Sequence, residues 1–280
     1  MDYIKIRKDL KENGYTVIEN VISEMQVNIL KILFKKWRNE IDFDPLIHGI
    51  YKRGQIGHQE FMWLARIWTA GFWKKLLKTE KVVTSFDGAC YMNEGCTPTT
   101  NKTWTHTDQR LKVKGHQYWQ GILALTTNEK STLCVYPGSH LLHEEYGKTR
   151  PKNERTQHWH RINKEYLKNM NIKAKLVKIN AGSMALFDSR TFHQNVKGGE
   201  EREVLYISMK EKNHAMNNKK MIEKRLNYFK TLRTTSHKAY PLNVNSLQTR
   251  NYGNENLNID YSKLNKPYLD YMIPLIKELI

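Results

Sequence analysis

Residues 174–210 read AKLVKINAGSMALFDSRTFHQNVKGGEEREVLYISMK. Short apolar runs rich in β-branched and aromatic residues are broken by the Ala181-Gly182 turn and by the glycines of VKGGEE. Such runs, punctuated by glycine, are strand signals. The same texture begins at residue 81 with VVTSFDGACYM and continues through QYWQGILALTT and TLCVYPGS, whose Pro137-Gly138 marks a further turn. Several short strands at this spacing fit a sandwich or double-sheet jelly roll better than alternating β-α units. The expected fold is an all-β core with α flanks.

The flanks carry a different period. Ser23–Glu40, SEMQVNILKILFKKWRNE, opens with a Ser-x-x-Gln capping pattern and spaces Val27, Leu30, Leu33, Phe34 and Trp37 three or four apart. This predicts an amphipathic helix. GYTVIENVI, just before it, predicts a short strand, and residues 59–79 repeat the helical pattern. A helix is also expected at Lys219–Thr231, followed by an Asn-rich, poorly patterned stretch and the amphipathic YLDYMIPLIKELI. With no internal repeat and no clear linker, the chain reads as one domain over 1–240, with 241–280 as a C-terminal extension packed on it.

Lys and Arg number 46 against 28 Asp and Glu, a formal net charge of +18 over 280 residues. The surplus is spread along the chain, but Lys148–Lys178 holds ten basic residues against Glu154 and Glu165. Charge of this size draws anionic partners. No helix-turn-helix, RNA-recognition or zinc-finger pattern accompanies it, so nucleic acid stays a partner suggested by charge alone. Three cysteines without CxxC spacing argue for reduced thiols rather than a disulfide framework. The opening residues lack a leader pattern and no long apolar run follows, so a soluble cytoplasmic protein with no membrane partner is expected.

The sharpest chemical feature is WTHTDQ, where His106 and Asp108 stand one residue apart. On an extended strand such residues project to one face and can converge on one ion. Alone the pair is weak, since His-x-Asp is common. His193, near the end of the opening stretch, supplies a second imidazole, and two histidines with one carboxylate make the facial triad of non-haem Fe(II) oxygenases. Nine residues later Arg202 begins a strand, and its planar fork suits a carboxylate of 2-oxoglutarate. Tyr91 and Gln120 are further candidates for the cosubstrate pocket. Tyr91 reads equally as a packed core tyrosine and Gln120 as an amide bonded to backbone. Arg190 either faces the mouth or pairs with Asp188, and His140 of PGSH reads as a turn residue.

Taken in order, GYTVIENVISEMQV, VVTSFDG, THTD, YPGSH and FDSRTFHQN followed by Arg202 resemble the phytanoyl-CoA dioxygenase (PhyH) family of Fe(II)/2-oxoglutarate oxygenases over most of residues 13–240. The resemblance implies a cupin-like double-stranded β-helix, with His106, Asp108 and His193 holding Fe(II) and Arg202 the distal carboxylate of 2-oxoglutarate. Where the family usually has a small hydroxyl residue two positions after the distal histidine, this chain has Asn195, whose amide can still donate. The implied activity is a dioxygenase that uses dioxygen to hydroxylate an aliphatic C–H of a small organic substrate, with an anionic one suggested by the charge. Alternatives are a nucleic-acid- or protein-directed oxygenase recruited by the basic surface, and a ligand-binding cupin without activity. Jumonji-type oxygenases share the triad but typically anchor 2-oxoglutarate with a lysine on another strand, so Arg202 favours the first assignment.

Overall fold

The computed structural model describes residues 1–42, 48–53, 55–96, 104–213, 218–243 and 259–280. The strands in chain order are β1 (Tyr15–Ile18), β2 (Ile50–Tyr51), β3 (Val82–Thr84), β4 (Ala89–Met92), β5 (His106–Thr107), β6 (Trp119–Ala124) and β7 (Asn128–Val135). They continue with β8 (His160–Arg161), β9 (Lys175–Ile179), β10 (Met184–Asp188), β11 (His193–Asn195), β12 (Arg202–Ile207) and β13 (Met209–Glu211). The helices are α1 (Tyr3–Asn13), α2 (Glu24–Ile41), α3 (Glu60–Leu77), α4 (His143–Lys148), α5 (Lys164–Asn169), α6 (Lys219–Lys230) and α7 (Ile273–Leu279).

The strands build a six-stranded sheet in the order β1-β10-β6-β12-β4-β2, a five-stranded sheet in the order β8-β5-β11-β7-β9, and a β13-β3 ribbon. All of these pairings are antiparallel, as a jelly roll requires. Side-chain alternation assigns the faces. Ala185 and Phe187 of β10 point between the sheets, where they meet Leu133, Val135 and Val177. Met184 and Leu186 of the same strand point outward into the core shared with α2 and α3. Both faces of β10 are therefore buried, which is why MALF shows no polar alternation in sequence.

The helical flanks follow their caps. Ser23 and Gln26 form the reciprocal capping box at the start of α2. Helix α1 lies outside the sequence expectation; Asp2 caps it by accepting from the Ile4 and Lys5 amides, and Gly14, at φ 75°, turns the chain into β1. VVTSFDGACYM, expected as one strand, is split in two. The Asp87 carboxylate accepts from the Gly88 amide at 2.8 Å, a local bond that competes with the ladder, so β3 joins β13 while β4 joins β12 and β2. In the C-terminal stretch, Leu269, Met272, Ile276 and Leu279 pack into the same core as α2 and α3. None of the described helices is long and apolar enough to cross a membrane.

Residues 231–243 form a strap over one end of the sandwich. Thr234 accepts from the Gly57 amide and Thr235 from the Phe86 amide, both at 3.0 Å, while the buried Arg225 guanidinium donates to Ala239 O at 2.9 Å. These bonds fix a segment that has no regular secondary structure of its own.

Candidate metal and cosubstrate site

Strand β5 is two residues long, and its register sets the site: His106 pairs directly with His193 of β11. Asp108 follows β5, its amide donating to Ser189 O at 3.2 Å. The three side chains are buried and offer ligand atoms that all lie within 4.8 Å of one another. His193 Nε2 stands 3.3 Å from Asp108 Oδ2, and His106 Nε2 stands 3.6 Å from Asp108 Oδ1.

The backbone chooses the tautomers. His106 Nδ1 donates to Trp104 O at 3.1 Å and His193 Nδ1 donates to Thr191 O at 2.9 Å, since a carbonyl can only accept. With Nδ1 engaged, Nε2 is the nitrogen that each ring turns toward Asp108, the arrangement a metal ligand needs. Burial, with the second histidine adding to it, pushes His106 down to about 3, so it is a neutral imidazole near neutral pH. Burial of Asp108 works toward protonation, but His237, His106 and His193 outweigh it and hold the carboxyl well below its usual range. A neutral imidazole and an ionised carboxylate are the forms that bind a cation. Two imidazoles and one carboxylate on one face, with open positions opposite, fit Fe(II).

Gln120 lines the cavity and donates to Asp108 Oδ2 at 3.0 Å, so it orients the carboxylate. Arg202 is fully buried on the inter-sheet face of β12, two positions from Val204 and four from Tyr206. Its Nη1 touches Cys90 Sγ at 4.0 Å, while Nε and Nη2 have no hydrogen-bond partner among the described residues. A buried cation with unspent donors is costly unless an anion pairs with it, and the distal carboxylate of 2-oxoglutarate fits that need. Arg202 is not itself among the residues lining the cavity; Asn195 is, and it donates from Nδ2 to the Tyr206 hydroxyl at 3.0 Å.

The structure corrects the expectation for Tyr91. Cys90 and Met92 face between the sheets, so Tyr91 faces the helices, where the Arg38 guanidinium lies 3.3 Å from its ring centroid. It is not among the residues lining the cavity. Arg190 pairs with Asp188, two bonds at 2.9 and 2.7 Å, and His140 meets Lys11 O at 3.0 Å in a supporting role.

The triad opens into a cavity of about 530 Å³. Its lining includes residues that sequence reading passed over, among them Asp87, Tyr206 and His237. Asp87 accepts from His237 Nδ1 at 2.5 Å, and His237 Nε2 stands 3.8 Å from Asp108 Oδ2. Burial opposes charge on His237, but the Asp87 and Asp108 carboxylates raise it to about 9. The one sequence signal for Asp87 is its place in Phe86-Asp87-Gly88; His237 stands in an unpatterned segment and has none.

A family model described as phytanoyl-CoA dioxygenase (PhyH) matches residues 10–196. No curated protein matches the sequence. Among solved structures, AviO1 from Streptomyces viridochromogenes Tue57 is similar at a TM-score of 0.52 and 13% identity, over 74% of this chain and 94% of that one. EvdMO1 aligns at 0.53 and 15% identity, over 74% of this chain and 49% of that one. The epimerase SnoN, solved with Fe3+, α-ketoglutarate and nogalamycin RO, aligns at 0.51 and 13% identity, over 75% of this chain and 83% of that one. At these identities the likeness is one of fold.

Proposed function

The chain belongs to the phytanoyl-CoA dioxygenase (PhyH) family, and from that premise we propose that it hydroxylates an aliphatic C–H of a small organic substrate. Iron and 2-oxoglutarate are its cofactors, as the family and the His-Asp-His donor set require. His106, Asp108 and His193 hold the iron. Arg202 grips the distal carboxylate of 2-oxoglutarate, with Asn195 and Tyr206 beside it.

Bound together, iron and 2-oxoglutarate supply the oxidising power: dioxygen accepts two electrons from 2-oxoglutarate and two from the C–H, one oxygen atom passing to succinate and one to the alcohol as carbon dioxide leaves. The protein's own residues position and shield. Gln120 and the backbone carbonyls of Trp104 and Thr191 hold the ligands in place, and Phe187, Ile122 and Leu133 give the cavity apolar walls.

The observation that carries the reading is the pair of Nε2 atoms turned toward one buried carboxylate, with an arginine that has spare donors buried on the inter-sheet face of β12. Anaerobic addition of Fe(II) and 2-oxoglutarate is expected to give the weak visible charge-transfer band of their chelate. A wild-type protein with no band, or a band that persists in His106→Ala, defeats the reading.

A further inference from the structure

Beyond the triad the cavity is walled by cations, and their role as a substrate site rests on the oxygenase function proposed for this chain. Lys238 on the strap, Lys52 after β2 and Arg161 on β8 all line it. His158, another lining residue, contacts the Arg110 guanidinium, whose Nε is buried with no partner among the described residues. The carboxylates that line the cavity have roles of their own: Asp87 accepts from His237 and the Gly88 amide, and Asp108 accepts from Gln120 and would hold the iron.

Lys238 forms no ion pair among the described residues, and its ammonium stands 5.5 Å from the Tyr118 ring centroid. Burial, and Arg110 next, hold its pKa below the usual lysine value. Asp108 tempers the charge on Lys238, but the lining cations Lys238, Lys52 and Arg161 outnumber the lining carboxylates Asp87 and Asp108, and this surplus favours a dianion over a monoanion; a phosphate monoester is close to dianionic at pH 7. Trp159 supplies the second contact. Its side chain is 43% exposed, it lines the cavity, and its ring centroid lies 5.2 Å from that of the metal ligand His106. A flat exposed ring beside the iron is a stacking platform for another ring.

We propose that the substrate is a ring-bearing phosphate monoester, its phosphate held by Lys238 with the positive charge of Arg110 behind it and its ring laid on Trp159 beside the iron. The cavity, about 530 Å³, has the size of a single small-molecule site rather than of a polymer groove. The strap that delivers Lys238 lies beyond residues 10–196, so this contact belongs to a part of the chain outside the family match.

Phenyl phosphate is the probe. Calorimetric titration is expected to show saturable binding to the full chain, loaded anaerobically with Fe(II) and 2-oxoglutarate and also metal-free. Lys238→Met should weaken it about tenfold to a hundredfold, the loss of a charge-assisted bond, and Arg110→Met, which removes only a charge behind the lining, should weaken it less. Lys238→Arg should restore most of the affinity, and Trp159→Ala should weaken phenyl phosphate while leaving inorganic phosphate unchanged. Benzoate and benzyl alcohol should bind more weakly than phenyl phosphate. Equal binding of benzoate, indifference to Lys238→Met, or binding confined to the iron-loaded protein overturns the proposal. Displacement of phenyl phosphate by a single-stranded oligonucleotide at lower concentration overturns it in favour of a polymer. A missing charge-transfer band defeats the oxygenase reading instead, because titration of the metal-free chain reports phosphate binding by itself.

Discussion

The two sides of the cavity are built in different ways. On the strand side, β5 and β11 pair with each other, and each imidazole is fixed by the carbonyl two residues before it. On the strap side, Lys52, Trp159, His237 and Lys238 arrive from segments far apart in sequence, and side-chain-to-backbone bonds hold the strap. Metal binding, as proposed, would be a local property of two short strands, and substrate contact one of how distant segments are brought together, so the two sides should respond differently to substitution.

The largest effect is expected on the strand side. Asp108→Ala removes the anionic ligand and leaves two imidazoles facing a void. Turnover of 2-oxoglutarate to succinate should fall below detection and the charge-transfer band should disappear, whereas binding of phenyl phosphate by the strap side should persist. If the phosphate site collapses along with the metal site, the two sides are not independent and the comparison breaks.

Arg202→Met is the next test, on β12 of the facing sheet. Loss of a buried charge-assisted contact of about 1.5–3 kcal/mol should raise the 2-oxoglutarate requirement roughly tenfold to a hundredfold. The maximal rate at saturating 2-oxoglutarate should change less. A large loss of maximal rate with an unchanged 2-oxoglutarate requirement would remove Arg202 from the cosubstrate site.

The same contrast explains what the sequence revealed. The triad was legible because His-x-Asp is a two-residue pattern and period two is the geometry of a strand. Arg202 was singled out because it opens an apolar run shortly after His193, and the fold buries it with unpartnered donors. Tyr91 was left between pocket and packed core because its face depends on the register of β4 against β12, where Arg202 opposes Met92 and Glu203 opposes Tyr91. A shift of one residue would have turned it inward, and nothing in FDGACYM specifies that register. Helix α1, mostly charged with only Ile6 and Leu10 buried, offers a thin apolar stripe. The strap carries no period at all, so neither His237 nor Lys238 could be placed beside the iron ligands before Thr234, Thr235 and Arg225 were seen to anchor it. The basic surplus in Lys148–Lys178 was legible as charge, but only the fold shows that Arg161 reaches the cavity.

The smallest expected effect concerns acid sensitivity, and it separates the two sides once more. His58, fully buried, meets the Arg233 carbonyl at the start of the strap, donating from Nε2 at 3.0 Å. Burial, with Arg66 adding to it, pushes it down to about 3, whereas an unfolded histidine titrates near 6.5. Below pH 6.5 the unfolded chain therefore binds a proton that the folded one refuses, so stability is full above that pH and declines as pH falls toward 3. His106 adds a similar dependence from the strand side in the metal-free protein. Denaturant unfolding of the metal-free chain between pH 6.5 and 4.5 should show stability falling with acid, each histidine contributing a slope of up to about 1.4 kcal/mol per pH unit. His58→Gln keeps an N–H donor for Arg233 O but cannot take up the proton, so its slope should be shallower by one histidine's share. Iron loading should instead relieve the share of His106, because a ligated Nε2 is closed to protons. An unchanged slope in His58→Gln would mean that the strap's anchor does not resist protonation, and that the acid sensitivity arises at other buried groups, His106 and His48 among them.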